Sequence, residues 1–310
     1  MTHGVPQGSI LGPLLFIVFM NDMPLYVNSD ADMYADDTTI NVSSRTIEDL
    51  ENKLNDDLRN VHNWCSINRM AVNAEKTKVM MITPYQKLPH LPKQTLDVKY
   101  NDTTLQNVSS EKLLGVYVDN RLSWKEHINQ VAKKISKNIA LLRQIRCYIP
   151  HASRITFYKC FIQPHLDYCN TIWGNGNTKR ILLLQKLALR IIEEVPRRTP
   201  SSPLFKKCRV MTIKERVQYR SSCLVYKACN GLTPSYLSDM FKTMNNTTQR
   251  STRLNKPNML YIPRARLETT YQTLRHNGAT IFNSLSQQLR DSKTLDTFKS
   301  TYIKTFFNAS

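Results

Sequence analysis

Asp36 and Asp37 are adjacent carboxylates inside the segment 31–42. β-prone runs around Met33-Tyr34 and over 38–42 flank the pair and read as the arms of a hairpin. Two acids at one turn repel each other unless a cation holds them. Their hard oxygens suit Mg²⁺, which takes one or two carboxylates and completes its shell with substrate phosphates. A pair of such ions can activate a hydroxyl nucleophile and stabilise a leaving pyrophosphate. Asp is also common in turns, so the pair alone does not establish a metal site.

The second chemical signal is charge. The chain has 310 residues and a formal charge of +19, unevenly placed. Residues 1–120 hold 10 basic and 15 acidic residues, residues 121–230 hold 22 and 5, and residues 231–310 hold 11 and 4. An acidic first part able to hold cations thus precedes a basic middle whose field favours phosphate partners. Lys133, Lys134, Lys137, Arg143 and Arg146 lie on or beside one predicted helix, with Tyr148 and Tyr158 nearby. Lys179-Arg180, Arg197-Arg198 and Lys206-Lys207 are further clusters. Cations contact phosphates and aromatics can stack unpaired bases, so a grip on nucleic-acid backbone is expected. Solvent-facing basic helices and core tyrosines are the plainer alternative.

Several classes are disfavoured. No apolar run approaches the roughly 20 residues of a bilayer span, so no membrane partner is expected. The longest candidate, Ile10 to Met20, contains Gly12 and Pro13. Seven irregularly spaced Cys form no small-domain disulfide framework and read as free thiols. Cys160, His165 and Cys169 depart from common zinc spacings, and core packing is the expectation for them.

The elements that must position these groups follow from spacing. A turn at Val5–Ser9 leads into an apolar helix with Pro13 in its first turn, ending near Asn21-Asp22. Ile47, Leu50, Leu54, Leu58, Val61 and Trp64 recur at three and four, predicting an amphipathic helix over 46–66. Val79–Ile82 reads as a strand, 84–92 as a Pro-rich loop, and 95–119 as a meander in which Leu113–Val118 is the clearest strand. Helices are predicted from Trp124 and over 178–194, a linker over 196–203, and a helical finish through Leu295, Phe298, Tyr302 and Phe306. The class is therefore α+β up to residue 120 and mostly α beyond.

Four blocks in order carry a family resemblance. Tyr34-Ala35-Asp36-Asp37 resembles the Tyr-x-Asp-Asp box of reverse transcriptases, and Gly4 to Phe16, with Pro6-Gln7-Gly8, resembles their Pro-Gln-Gly segment. Trp64 to Lys78 is similar to the next palm motif, and Leu114–Asp119 with Leu122 and Trp124 to the strand and turn opening the thumb side. The likeness is to non-LTR, LINE-like or jockey-like retrotransposon enzymes. It continues loosely through Tyr168–Gly174, Leu184–Lys186 and Phe282 to Lys299.

The resemblance implies a partial polymerase palm over 1–120, a thumb-like helical region over 121–195 and a basic C-terminal region over 196–310. It implies template-directed nucleotidyl transfer with an RNA template, a DNA primer and Mg²⁺ or Mn²⁺. By position, Asp36 is a metal ligand and Asp37 supports the site. Tyr34 lies near the primer end or incoming nucleotide, and Pro6, Gln7 and Gly8 line the template and nucleotide pocket. Lys76 approaches the leaving pyrophosphate, an exposed Lys before a strand being as good a reading. The family also uses an Asp from an earlier palm strand, and here only Met1-Thr2-His3 precede the Pro-Gln-Gly segment. The expectation is a piece of an element polyprotein that is inactive alone and completed in cis by an N-terminal polymerase half. The alternative is a non-catalytic RNA- or DNA-binding remnant. By analogy, an intracellular location with access to the nucleus is expected.

Overall fold

The computed structural model describes residues 8–84, 86, 89, 91–243 and 259–308, so Pro6 and Gln7 lie outside the described residues. The described chain divides into two compact units, residues 1–111 with 119–121, and residues 112–118 with 122–310.

The first unit opens with α1 (Gly12–Met20), which carries Pro at its start, where a missing N–H costs nothing. A 3₁₀ turn, Met23–Tyr26, follows. Strands β1 (Asp30–Tyr34) and β2 (Asp37–Asn41) pair antiparallel, from Asp30 opposite Asn41 to Tyr34 opposite Asp37. Helix α2 (Ile47–Ile67) is capped by Thr46, whose hydroxyl accepts from the Asp49 amide at 3.3 Å, with Glu48 and Asp49 in the first turn.

Two small cores sit along α2. Met20, Met23, Val27, Val61 and Trp64 form one, and Ile47, Val79, Leu96, Val98, Tyr100 and Leu105 the other. Buried Asp57 accepts the Asn28 amide at 2.7 Å, and Trp64 donates to Asp22 at 3.2 Å. These bonds tie α2 to the chain leading into the hairpin.

The meander is made of very short strands: β3 (Lys78–Val79), β4 (Lys99–Tyr100), β5 (Thr103–Thr104), β6 (Gln106–Asn107), β7 (Ser110–Leu113) and β8 (Val116–Asp119). β3 pairs parallel with β6, β4 antiparallel with β5, and β7 with β8. Two expectations are corrected here. The predicted strand Val79–Ile82 shrinks to Lys78–Val79. The apolar run Leu113–Val118 is not one strand, because Leu114 (φ +45°) and Gly115 (φ +85°) turn the chain between β7 and β8. Positive φ at both central residues is the geometry of a tight two-residue hairpin turn.

Beyond residues 112–118 of the β7–β8 hairpin, the second unit is mostly helical. Its first part comprises α3 (Lys125–Ile145), α4 (His151–Phe157), a π-segment (Tyr158–Ile162), α5 (Gln163–Asp167), α6 (Asn170–Trp173), α7 (Lys179–Ile192), α8 (Ser202–Lys207) and α9 (Ile213–Cys229). After these come α10 (Ser235–Ser238), α11 (Glu268–Gln272), α12 (Ala279–Ser284), α13 (Gln287–Arg290) and α14 (Leu295–Asn308). One core joins Ile135, Leu142, Tyr158, Trp173, Leu189 and Ile213, and a second joins Tyr226, Phe282 and Phe298.

Polar groups fix this packing. Gln185, fully buried on α7, donates to the Tyr158 hydroxyl at 2.8 Å and to the Met211 carbonyl at 3.3 Å, and accepts the Ile213 amide at 2.8 Å. Asp167 is held by Arg216 at 2.5 Å and Arg220 at 3.2 Å. Burial pushes the Asp167 carboxyl up, but the two guanidiniums outweigh it and hold it below the usual range. At Gly174 an added Cβ would lie 2.3 Å from Val217 Cγ2, so only glycine lets α6 approach α9 this closely.

Buried His127 accepts the Tyr117 amide through Nδ1 at 3.3 Å, which places its own proton on Nε2, where no described partner meets it. Burial, then nearby Lys134, lowers its pKa below the usual 6.5. The unfolded chain therefore binds this proton more readily than the folded one, and the stability tied to neutral His127 is lost as pH falls below about 6.5. The expected result is a melting temperature that drops from pH 7 to pH 5, with a shallower drop in His127→Asn. His165, shifted the same way by burial, keeps the residual slope. An unchanged slope in the variant would refute the assignment. Glu193, held down at about 2, titrates outside this window.

Candidate functional site

Asp36 and Asp37 stand at the tip of the β1–β2 hairpin. Ala31, Met33 and Ile40 turn inward onto the core of Met20 and Trp64, so the period of two turns Asp32 and Tyr34 outward. Asp32 accepts from the Asn41 amide group at 2.9 Å, a cross-strand tie beneath the tip. The loop is only Ala35-Asp36, since Tyr34 and Asp37 already pair. Ala35 is held at φ +55°, a left-handed conformation that disfavours a Cβ. The two carboxylates are exposed, as is Tyr34 at 67%. A rigid base thus presents two hard-oxygen donors and an aromatic ring to solvent.

That donor chemistry suits Mg²⁺ or Mn²⁺. The donor number is short. Among the described residues, no group of three or more His, Cys, Asp or Glu side chains is placed to hold a metal. The same observation covers Cys160, His165 and Cys169.

The other predicted residues separate. Lys76 is exposed in a turn whose amide bonds to Asn73, and no bond among the described residues joins it to Asp36 or Asp37. The neighbouring Lys78 donates to Gln106 at 2.6 Å beside the β3–β6 pair. Gly8 takes φ +85°, which favours glycine, with open space where a Cβ would stand.

In the second unit, the five basic residues of the α3 region form two sets. Lys133, Lys134 and Lys137 are exposed and lie opposite the buried Val131, Ile135, Ile139 and Leu142. Arg143 and Arg146, roughly a quarter to a half turn away at about 100° per residue, are turned towards α7. They share a pocket there with Arg190 and Arg197. Arg190 escaped sequence reading because its only signal is a cation in the last turn of α7. Tyr148 is 87% exposed, whereas Tyr158 is fully buried and bonded to Gln185, so it packs the core and cannot stack a base.

Comparison with known proteins gives this geometry its context. Residues 1–118 match the family described as reverse transcriptase (RNA-dependent DNA polymerase). The chain is similar to the probable RNA-directed DNA polymerase from transposon X-element of Drosophila melanogaster, 26% identical over 71% of this chain and 25% of that protein. It is similar to that from transposon BS of the same species, 29% identical over 72% of this chain and 26% of that one. The RNA-directed DNA polymerase from mobile element jockey of Drosophila melanogaster is 25% identical over 69% of this chain and 24% of its own length. The chain thus spans about a quarter of the length of these relatives. No solved structure matches it. Four motifs in order, the hairpin that carries the Asp pair and these relatives agree: residues 1–118 are a reverse transcriptase domain, and the chain is similar to RNA-directed DNA polymerases of non-LTR retrotransposons.

Proposed function

We propose that Asp36 and Asp37 form part of a two-metal centre for RNA-templated DNA synthesis, completed by a carboxylate from polypeptide outside these 310 residues. The observation that carries this reading is the exposed Asp pair on a core-anchored hairpin within a reverse transcriptase domain. Bound Mg²⁺ or Mn²⁺ would neutralise charge on the primer hydroxyl and the departing pyrophosphate. Asp36 holds the metal and Asp37 supports it. Tyr34, projecting beside them, orients the primer end or nucleotide. Pro6, Gln7 and Gly8 line the template side, and Lys76 serves the leaving group. The first unit acts as part of a palm and the helical unit as a thumb whose cations track a template–primer backbone, with access to the nucleus.

Two features support a shared site. The described residues supply too few carboxylates for a metal cluster. Helix α1 is apolar all round yet exposed, with Leu14 at 57%, Ile17 at 60% and Val18 at 67%, as befits a helix that other polypeptide covers. The carboxylate shortage also favours a second reading, a nucleic-acid-binding chain without catalysis.

Primer extension on an RNA template with Mg²⁺ separates these. No extension is expected from the 310-residue chain alone. Extension is expected when the preceding part of a jockey-type polymerase domain is fused to it. Extension by the isolated chain would refute the shared centre, and a fold-competent fusion that binds RNA without extending would favour the binding role.

A further inference from the structure

Four arginines far apart in sequence converge on one open pocket of about 260 Å³. Arg143 and Arg146 come from the end of α3, Arg190 from the last turn of α7, and Arg197 from the segment after it. Leu187 and Ile191 line it with them. Like charges gathered this way repel unless an anion lies between them.

Local causes do not account for the cluster. The negative ends of α3 and α7 favour a cation in their last turns, which suits Arg143 and Arg190. Arg197 lies beyond both helices. Nor do carboxylates neutralise it, since each of the five acidic residues in 121–230 is engaged elsewhere. Glu126 accepts from Gln130 at 3.4 Å, and Asp167 holds Arg216 and Arg220. Glu193 takes Lys207 at 2.5 Å and His151 at 2.7 Å, and Glu194 takes Arg154 at 3.0 Å. Glu215 closes the capping box of α9. Arg190 spends one N–H on the Thr199 carbonyl at 3.0 Å. The guanidiniums of Arg143, Arg146 and Arg197 make no ion pair or hydrogen bond to a described residue.

We propose that this pocket seats a backbone phosphate of a single RNA strand. Guanidinium forks match phosphate oxygens in pairs, and the apolar wall lowers the local dielectric around them. The proposal rests on the reading of the helical unit as nucleic-acid-binding and adds to it a discrete site, distinct from the Lys133, Lys134 and Lys137 face.

The test is binding of a labelled single-stranded RNA to the 310-residue chain across a salt series, with tripolyphosphate as competitor. The Arg143→Gln/Arg197→Gln variant should bind about tenfold or more weakly. Its slope of log affinity against log salt should shrink by up to about 0.7, the value for one lost phosphate contact on a single strand. Arg143→Lys/Arg197→Lys should recover part of the affinity, which a merely structural loss would not allow. Tripolyphosphate should compete with RNA on the Lys133→Gln/Lys134→Gln/Lys137→Gln variant but little on the arginine variant. Wild-type RNA affinity in the arginine variant, while the lysine variant weakens, would overturn the pocket and leave the wider nucleic-acid reading intact. Absence of RNA binding by the wild-type chain would overturn both.

Discussion

Asp36→Asn, placed in a polymerase domain that extends primers, is expected to lower the extension rate by about three orders of magnitude or more. A metal centre supplies several kcal/mol of charge stabilisation, and each 1.36 kcal/mol is tenfold in rate. The amide keeps the shape of the side chain but loses the anionic oxygen a hard cation needs. Asp37→Asn should cost less, since the role proposed for it is support. Folding is a separable matter. Asp36 is exposed in a two-residue loop, and the hairpin is anchored through Ala31, Met33 and Ile40. Surface changes of this kind stay within about 0.5 kcal/mol, so the melting temperature should hold while the rate collapses. Measured single-nucleotide incorporation at the wild-type rate would sink the metal-ligand assignment.

Gln185→Leu is expected to destabilise the helical unit by about 3 kcal/mol or more. The two side chains are similar in size, so the loss is one of bonding. Leucine would leave the Tyr158 hydroxyl and the Ile213 amide without their partner in a dry core. Each unsatisfied buried group costs roughly 1–3 kcal/mol. A second substitution isolates the cause. Tyr158→Phe removes one of the stranded groups, so Gln185→Leu/Tyr158→Phe should be less destabilised than the sum of the single variants. Simple additivity in denaturant unfolding would show that the bond between Gln185 and Tyr158 contributes little. The Tyr158 hydroxyl, pushed far above its usual pKa chiefly by burial, stays a neutral acceptor throughout.

The long elements were legible because their side chains repeat. Ile47 to Trp64, Ile128 to Leu142 and Ile181 to Ile192 each show a helical stripe, and α2, α3 and α7 stand where those stripes do. The Asp36-Asp37 hairpin was legible because β-prone residues flank a polar turn. The meander was not, since two-residue strands carry no period. Leu113–Val118 misled because its apolar residues continue across the turn, and only Gly115 hints at it. What no local pattern could show is convergence. Arg146 and Arg197 share a pocket, and Gln185 meets Tyr158, only because α3, α4, α7 and the segments after them pack on one core. Charge counting found the basic region without showing that four of its arginines line one pocket.

The uncovered apolar circumference of α1 bears on the fate of the chain in a cell. Exposed apolar surface of this kind is what chaperones hold and proteases clear, and it invites self-association when neither acts. A copy whose Leu14, Ile17 and Val18 stay wet is therefore expected to be cleared faster in a cell than one with that helix covered. Abundance would then be tied to assembly, with quality control limiting any pool of the uncovered chain.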